Sequence, residues 1–156
     1  MKNLIVLVWI FLSISVNAQS RKEAKKNKLK SATVTKTEGG KTINESKTFF
    51  DKDGNEIETI DYGKEGTVKE IHKFKFNSEG DEIEELQYNG ANVLLEKKIT
   101  KYTLLGEKAE ELFYDGEGKY TKKHSYSYDA QGLRTERKTI DAAGKVLSVK
   151  NYTYTK

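Results

Sequence analysis

Cysteine and proline are both absent from this 156-residue chain, and histidine occurs only twice, as His72 and His124. Without cysteine there is neither a disulfide nor a site for a lipid-modified N-terminal cysteine, so the folded part is held by packing and backbone hydrogen bonds alone. Without proline, nothing interrupts a β-ladder. Long apolar stretches are scarce as well. The one long uncharged run, Leu4 to Val16, follows Lys2 and ends in Val16-Asn17-Ala18, with small residues where a signal peptidase reads. Thirteen apolar residues are too few for the ~20 a helix needs to cross a bilayer, and the pattern predicts an export signal over residues 1–18. The mature chain is therefore expected to be periplasmic or secreted, with no transmembrane span.

A strong charge of one sign is also missing. The chain carries 28 basic and 24 acidic residues, a net +4, and removal of residues 1–18 leaves +3. Arg21, Lys22, Lys25, Lys26, Lys28 and Lys30 against Glu23 concentrate +5 in ten residues, leaving 21 basic and 23 acidic residues from Ser31 onward. A folded body that is nearly neutral lacks the basic stripe of a nucleic-acid binder. The segment 19–30 reads as a basic linker or arm ahead of a repeat domain at 31–156, with a short helix or an envelope-facing segment as alternatives.

What the chain has in abundance is turns. Nearly identical turn signatures end at Gly40, Gly54, Gly66, Gly80, Asn92, Gly106, Gly118, Gly132 and Gly144, at spacings alternating between 14 and 12 residues. That is a 26-residue hairpin repeat, and each unit must stack on its neighbours to bury its apolar side. An apolar residue, usually aromatic, precedes the turn, followed in six of nine cases by Asp or Asn, as at Asp51, Asp129 and Asp141. An Asp at the first corner accepts hydrogen bonds from the turn backbone, and glycine at the fourth supplies φ > 0, which together define a type I turn closed by a glycine bulge. The segments between turns, eight and ten residues in alternation, are strand length.

The expected fold is all-β: an antiparallel meander of about nine strands forming an open, twisted sheet or partial shell, with a closed soluble up-and-down barrel as the alternative. Turn chemistry also predicts register, with even residues facing even residues. Tyr62 should oppose Val68, and Glu58, Glu84, Glu110 and Glu136 should oppose His72, Lys98, His124 and Lys150. Such opposite-charge pairs contribute about 0.2–1 kcal/mol each. One even-numbered face should then carry most of the apolar residues, with a charged band across its middle. A transmembrane barrel is excluded, because its outer face needs an unbroken apolar band about 25 Å tall.

The run Tyr126-Ser127-Tyr128-Asp129-Ala130-Gln131-Gly132-Leu133, followed by Asp141-Ala142-Ala143-Gly144 and Tyr152-Thr153-Tyr154, resembles the YD repeat of the RHS family. The resemblance extends from about Thr37 to the C-terminus, with Phe76-Asn77 and Tyr102-Thr103 standing in for Tyr-Asp in earlier repeats. It implies a spiralling β-sheet on an exported or surface protein, and some YD regions are associated with carbohydrate binding. The chain is also similar to variant MORN repeats in its short glycine-closed hairpins.

No residue pattern stands out as catalytic, metal-binding or cofactor-binding. His72 and His124 lie four strands apart in a meander, roughly 19 Å at about 4.8 Å per strand, too far to share an ion or a proton. The carboxylates Glu58, Glu84, Glu110 and Glu136 form a periodic row about 9–10 Å apart, as a register device does, and nothing distinguishes one pair as the acid and base of glycoside hydrolysis. Asp51-Lys52-Asp53-Gly54 and Asp115-Gly116-Glu117-Gly118 lack the later ligands of a calcium loop.

Tyrosine has the most functional room. Tyr88, Tyr114, Tyr120, Tyr126, Tyr128 and Tyr152 are the candidate binding face, because a flat ring with a polar hydroxyl stacks on sugars or anchors a protein at small entropic cost. Gly54, Gly80, Gly106, Gly118, Gly132 and Gly144, with Asp51, Asp129 and Asp141, define the turns. The expectation is a non-enzymatic exported repeat protein, a binding or structural module at the cell envelope, whose partner is a protein or an envelope polysaccharide and not nucleic acid. A lectin-like glycan binder and an inhibitor or immunity partner of a secreted toxin are the alternatives. Edge strands near residues 41–50 and 145–154 are the expected protein-docking elements.

Overall fold

The computed structural model describes residues 17–155. The expected export signal at 1–18 lies, apart from Asn17 and Ala18, outside the described residues. One helix, α1 (Asn17–Asn27), precedes ten strands: β1 (Ser31–Glu38), β2 (Lys41–Phe50), β3 (Glu56–Tyr62), β4 (Val68–Phe76), β5 (Glu82–Asn89), β6 (Leu94–Tyr102), β7 (Lys108–Asp115), β8 (Tyr120–Tyr128), β9 (Arg134–Asp141) and β10 (Val146–Asn151). They form a single antiparallel sheet in strict sequence order, with β1 at one edge and β10 at the other. The sheet does not close into a barrel. Nine turns join ten strands, one more than expected, because Ser31–Glu38 adds a strand outside β2. The segment at 41–50 is therefore an interior strand rather than an edge.

The turns have the chemistry the sequence calls for. At the β2–β3 turn the amide of Gly54 donates to the Asp51 carbonyl at 3.1 Å and the amide of Asp51 to the Asn55 carbonyl at 3.0 Å. The Asp51 carboxylate accepts from the amides of Asp53 and Asn55 at 2.8 and 2.9 Å. The same pattern recurs at Asp115, Asp129 and Asp141. The closing residue adopts positive φ in all eight turns of this kind, Asn92 included at 60°. The first turn differs: Gly39 and Gly40 have φ of 58° and 78°, and Glu38 pairs directly with Lys41, a two-residue hairpin with both centres left-handed.

From β2 to β10 register departs from expectation at one recurring position, and the β1–β2 pair shifts separately at Glu45. Tyr62 does oppose Val68, but Asp61 then opposes Glu70, so Lys69 is an extra residue. Ile57, Ile83, Leu95, Ala109, Thr121, Thr135 and Leu147 are extra in the same way, each three residues after its turn glycine or asparagine. A bulge there shifts pairing by one, and because side chains alternate with period two, every residue beyond it changes partner and face. The expected partners are accordingly replaced. Glu58 meets Lys73 at 3.9 Å; Glu84 meets Lys75 and Lys97 at 2.7 and 2.9 Å; Glu110 meets Lys101 and Lys123 at 3.5 and 2.7 Å; Glu136 meets Lys138 at 2.8 Å. The acid row survives, flanked by lysines rather than facing histidines.

Pairing also sorts the two faces. One carries Ile60, Ile71, Leu86, Ile99, Leu112 and Ile140 with the Glu–Lys rows. The other carries Asp61, Glu70, His72, Phe74, Glu85, Lys98, Glu111, Phe113, His124 and Tyr126. Among the described residues no second layer covers either face, and only Ala24 and Phe113 are buried hydrophobics. With so little apolar core, cross-strand side-chain pairs and the ladder itself carry the stability.

Helix α1 runs across the end of the sheet that bears the β2–β3 and β4–β5 turns. Ala24 is buried there, Lys25 Nζ lies 3.1 Å from an Asp53 carboxylate oxygen, and the Arg21 guanidinium donates to the Gly80 carbonyl at 3.4 Å. The basic arm, read from sequence as a linker, is for the most part a docked helix.

Candidate functional site

The six candidate tyrosines do not share a face. Tyr88 opposes Ile71 and Tyr114 opposes Tyr120, which places these three with the aliphatic residues. Tyr126 opposes Arg137 on the histidine face, and the Arg134 guanidinium lies over the rings of both Tyr126 and Tyr152, 4.5 and 5.9 Å from their centres. Tyr128 alternates with Tyr126 on that same face. All six are half-buried. Two already have structural work for their polar ends: Tyr126 donates to Glu111, and Tyr128 donates to the Lys108 carbonyl at 2.8 Å. Tyr102 and Tyr154 make the same bond as Tyr128, to the carbonyls of Glu82 and Arg134. Tyr102 and Tyr128, the last residues of β6 and β8, and Tyr154, three residues beyond β10, therefore lock the start of the preceding strand.

The histidine face holds a chain of charged groups that sequence reasoning missed. His72 Nδ1 lies 2.8 Å from Glu85 Oε1 and its Nε2 lies 3.4 Å from Glu70 Oε2. Glu85 also takes a hydrogen bond from Lys98, which reaches Glu82 at 2.9 Å. Gln87 donates to the other oxygen of Glu70. Asp61 stands directly opposite Glu70 across the β3–β4 pair, and donor atoms of Asp61, Glu70 and His72 all lie within 4.8 Å of one another. The signal was present in the sequence, but reading it required the bulge at Lys69, which moves His72 away from Glu58.

The two histidines sit in opposite electrostatic surroundings. Burial works to lower the His72 pKa, but its hydrogen bonds and charge attraction to Glu85 and Glu70 outweigh this and raise it above 6.5. Burial lowers the His124 pKa below 6.5, and Arg137, Lys122 and Lys150 push the same way against Glu111. His124 Nδ1 and the Thr139 hydroxyl share a hydrogen bond of 3.1 Å, and the His124 ring meets Phe113 edge-on at 4.9 Å. An imidazole NMR titration is expected to show two transitions, His72 above and His124 below 6.5. Coincident midpoints would contradict this arrangement.

Beneath α1, an open groove lies between the helix and the turn end of the sheet, lined by Arg21, Asn55, Phe74, Phe76 and Tyr102. Exposed apolar residues gather elsewhere, notably Val146, Leu147 and Val149 on the β10 edge strand.

No protein-family model matches the chain, and no curated protein matches it. Solved structures do. A Bacteroides fragilis protein of unknown function aligns over 81% of this chain and 95% of its own, with 11% identity and a TM-score of 0.45. TarM aligns over 83% of this chain at 18% identity and a TM-score of 0.33, and a GtfA/B complex bound to UDP and GlcNAc over 76% at 12% identity and 0.29. The chain spans about a quarter of the length of the TarM and GtfA/B chains, 23% and 24%. None of these scores permits chemistry to be carried across, so function is read from this chain's own surfaces.

Proposed function

We propose that the chain is a non-enzymatic binding module exported to the cell envelope, and that it docks a protein partner along the β10 edge strand. One observation carries this reading: among the described residues, ten strands form one open layer whose edge strand β10 has no partner on its outer side and carries exposed apolar side chains. Leu147 and Val149, at 56% and 44% exposure, flank this edge, which has none of the prolines that commonly blunt one. An extended segment of a partner adds to such an edge by main-chain hydrogen bonds, with side chains setting specificity. The YD-like repeat and the export signal read from the sequence support the envelope as its location.

Tyr152 donates its amide inward to Thr135, so by alternation the amides of Lys150 and Ser148 also face β9 while those of Val149 and Asn151 face outward. Val149→Pro therefore removes a donor that only a partner uses. The variant is expected to keep its circular dichroism spectrum and lose co-sedimentation with envelope fractions by at least about tenfold, since each 1.4 kcal/mol of lost hydrogen bonding is a factor of ten. Protease treatment of the fractions should abolish binding by the unaltered protein. Binding that survives protease, or that tolerates Val149→Pro, would refute the edge-strand reading and favour a polysaccharide ligand.

A further inference from the structure

The geometry points to a divalent transition-metal site of the zinc type on the histidine face, with Asp61, Glu70 and His72 as ligands. The donor set comes from two adjacent strands, β3 and β4, and places two carboxylates and an imidazole within 4.8 Å of one another. In a four-coordinate site with metal–ligand bonds of about 2.0–2.1 Å, neighbouring donor atoms stand about 3.3–3.4 Å apart. His72 Nε2 and Glu70 Oε2 are 3.4 Å apart. Three protein ligands leave a fourth position for water, and an imidazole among oxygen donors favours a borderline ion over calcium or magnesium.

Two further observations separate this cluster from an ordinary exposed charge group. The atoms not aimed at the site are held by neighbours: Glu85 takes the Nδ1 side of His72, and Gln87 takes the other oxygen of Glu70. A carboxylate behind a ligating imidazole fixes its tautomer and orientation, and so presents Nε2 to the ion. Asp61 and Glu70 also stand directly opposite each other, like charges of which only Glu70 has a basic partner, His72. Asp61 makes no ion pair with a basic residue among the described residues.

The repeat supplies an internal comparison. One period of 26 residues on, the equivalent positions are Gln87, Glu96 and Lys98, and two periods on they are Phe113, Lys122 and His124. Only the first repeat has three donor side chains at once; in the later ones a lysine or an aromatic ring occupies the place of a ligand. His124 lacks the two carboxylates, and it serves as a built-in control.

The experiment is a zinc titration of the purified, untagged protein, followed on the imidazole resonances of its two histidines. One equivalent of Zn2+ is expected to shift the His72 ring signals and leave those of His124 in place. His72→Gln and Asp61→Asn should each abolish stoichiometric uptake while leaving the circular dichroism spectrum unchanged. Glu85→Gln, which keeps a hydrogen-bonding group behind the imidazole but removes its charge, should weaken zinc binding about 10- to 100-fold. Lys97→Gln, on the opposite face, should have no effect. Equal perturbation of both histidines, or zinc uptake indifferent to Asp61→Asn and His72→Gln, would overturn the assignment and leave only non-specific surface binding.

Discussion

Gly54→Ala is expected to release helix α1 from the sheet, while the same substitution at Gly66 leaves it docked. Both glycines have φ of +78°, so both variants bear the left-handed backbone cost of about 1–2 kcal/mol that an L side chain incurs. Their surroundings differ. A Cβ at Gly54 would sit 2.3 Å from the Arg21 carbonyl and 2.8 Å from the Lys25 amide, both backbone atoms of α1, whereas a Cβ at Gly66 meets nothing within 4 Å. Backbone cannot swing aside as a side-chain tip can, so the helix must move as a unit and expose Ala24. Limited trypsin digestion reads this directly, because α1 carries Arg21, Lys22, Lys25 and Lys26. Rapid cleavage there in Gly54→Ala, with Gly66→Ala resembling the unaltered protein, is the expected result. The extra stability lost by Gly54→Ala over Gly66→Ala then measures what docking contributes. Equal resistance of the two variants would show that α1 does not rest on this turn.

Glu111→Ala is expected to be the most damaging single charge removal, lowering stability by about 2–4 kcal/mol. Glu111 is the one acidic residue among the described residues that is buried, at 8% exposure, and it accepts from the Tyr126 hydroxyl and from Lys108 at 2.9 Å. Its removal strands the half-buried Tyr126 phenol and the Lys108 ammonium, and a donor left without its acceptor costs about 1–3 kcal/mol, more where a charge loses its partner. Chemical denaturation would show the loss as a lower midpoint with an unchanged slope.

The same group sets part of the acid response. Burial raises the Glu111 pKa, but Tyr126, Lys108 and Lys98 outweigh it and hold the pKa below 4.5. A carboxylate with a depressed folded pKa stabilises above its unfolded value, and that contribution disappears as pH falls through the folded value. Glu70, Glu84, Glu85, Glu110 and Asp51 are shifted in the same direction. Stability should therefore fall steeply on acidification below about pH 4.5, with Glu111→Gln showing a shallower fall than the unaltered protein. An unchanged pH profile in Glu111→Gln would remove this carboxylate from the account.

Legibility differed between backbone and side chains. Each Asp-x-x-Gly turn is a local device, complete within five residues, so its type and its positive φ could be read from the chain. Strand lengths followed from turn spacing, and the meander followed from hairpins too short to allow any crossover. The bulges were not legible. At the third residue after each turn stand Ile57, Lys69, Ile83, Leu95, Ala109, Thr121, Thr135 and Leu147, which share no residue type that would mark a bulge. The candidate metal cluster was hidden for that reason, since Asp61 and Glu70 face each other only once Lys69 is extra. The tyrosine row failed as a single face by the same one-residue shift.

Residue type, spacing and turn chemistry alone determine that this protein is a proline-free antiparallel meander with a 26-residue period, because those properties depend on interactions between near neighbours in the chain. Only the tertiary structure decides which side chains meet. Pairing across strands depends on how each hairpin continues beyond its turn, and a single extra residue in a ladder of period two exchanges the faces. The docking of α1 is of the same kind, a contact between Arg21 and Gly80 across 59 positions of sequence that no local pattern announces.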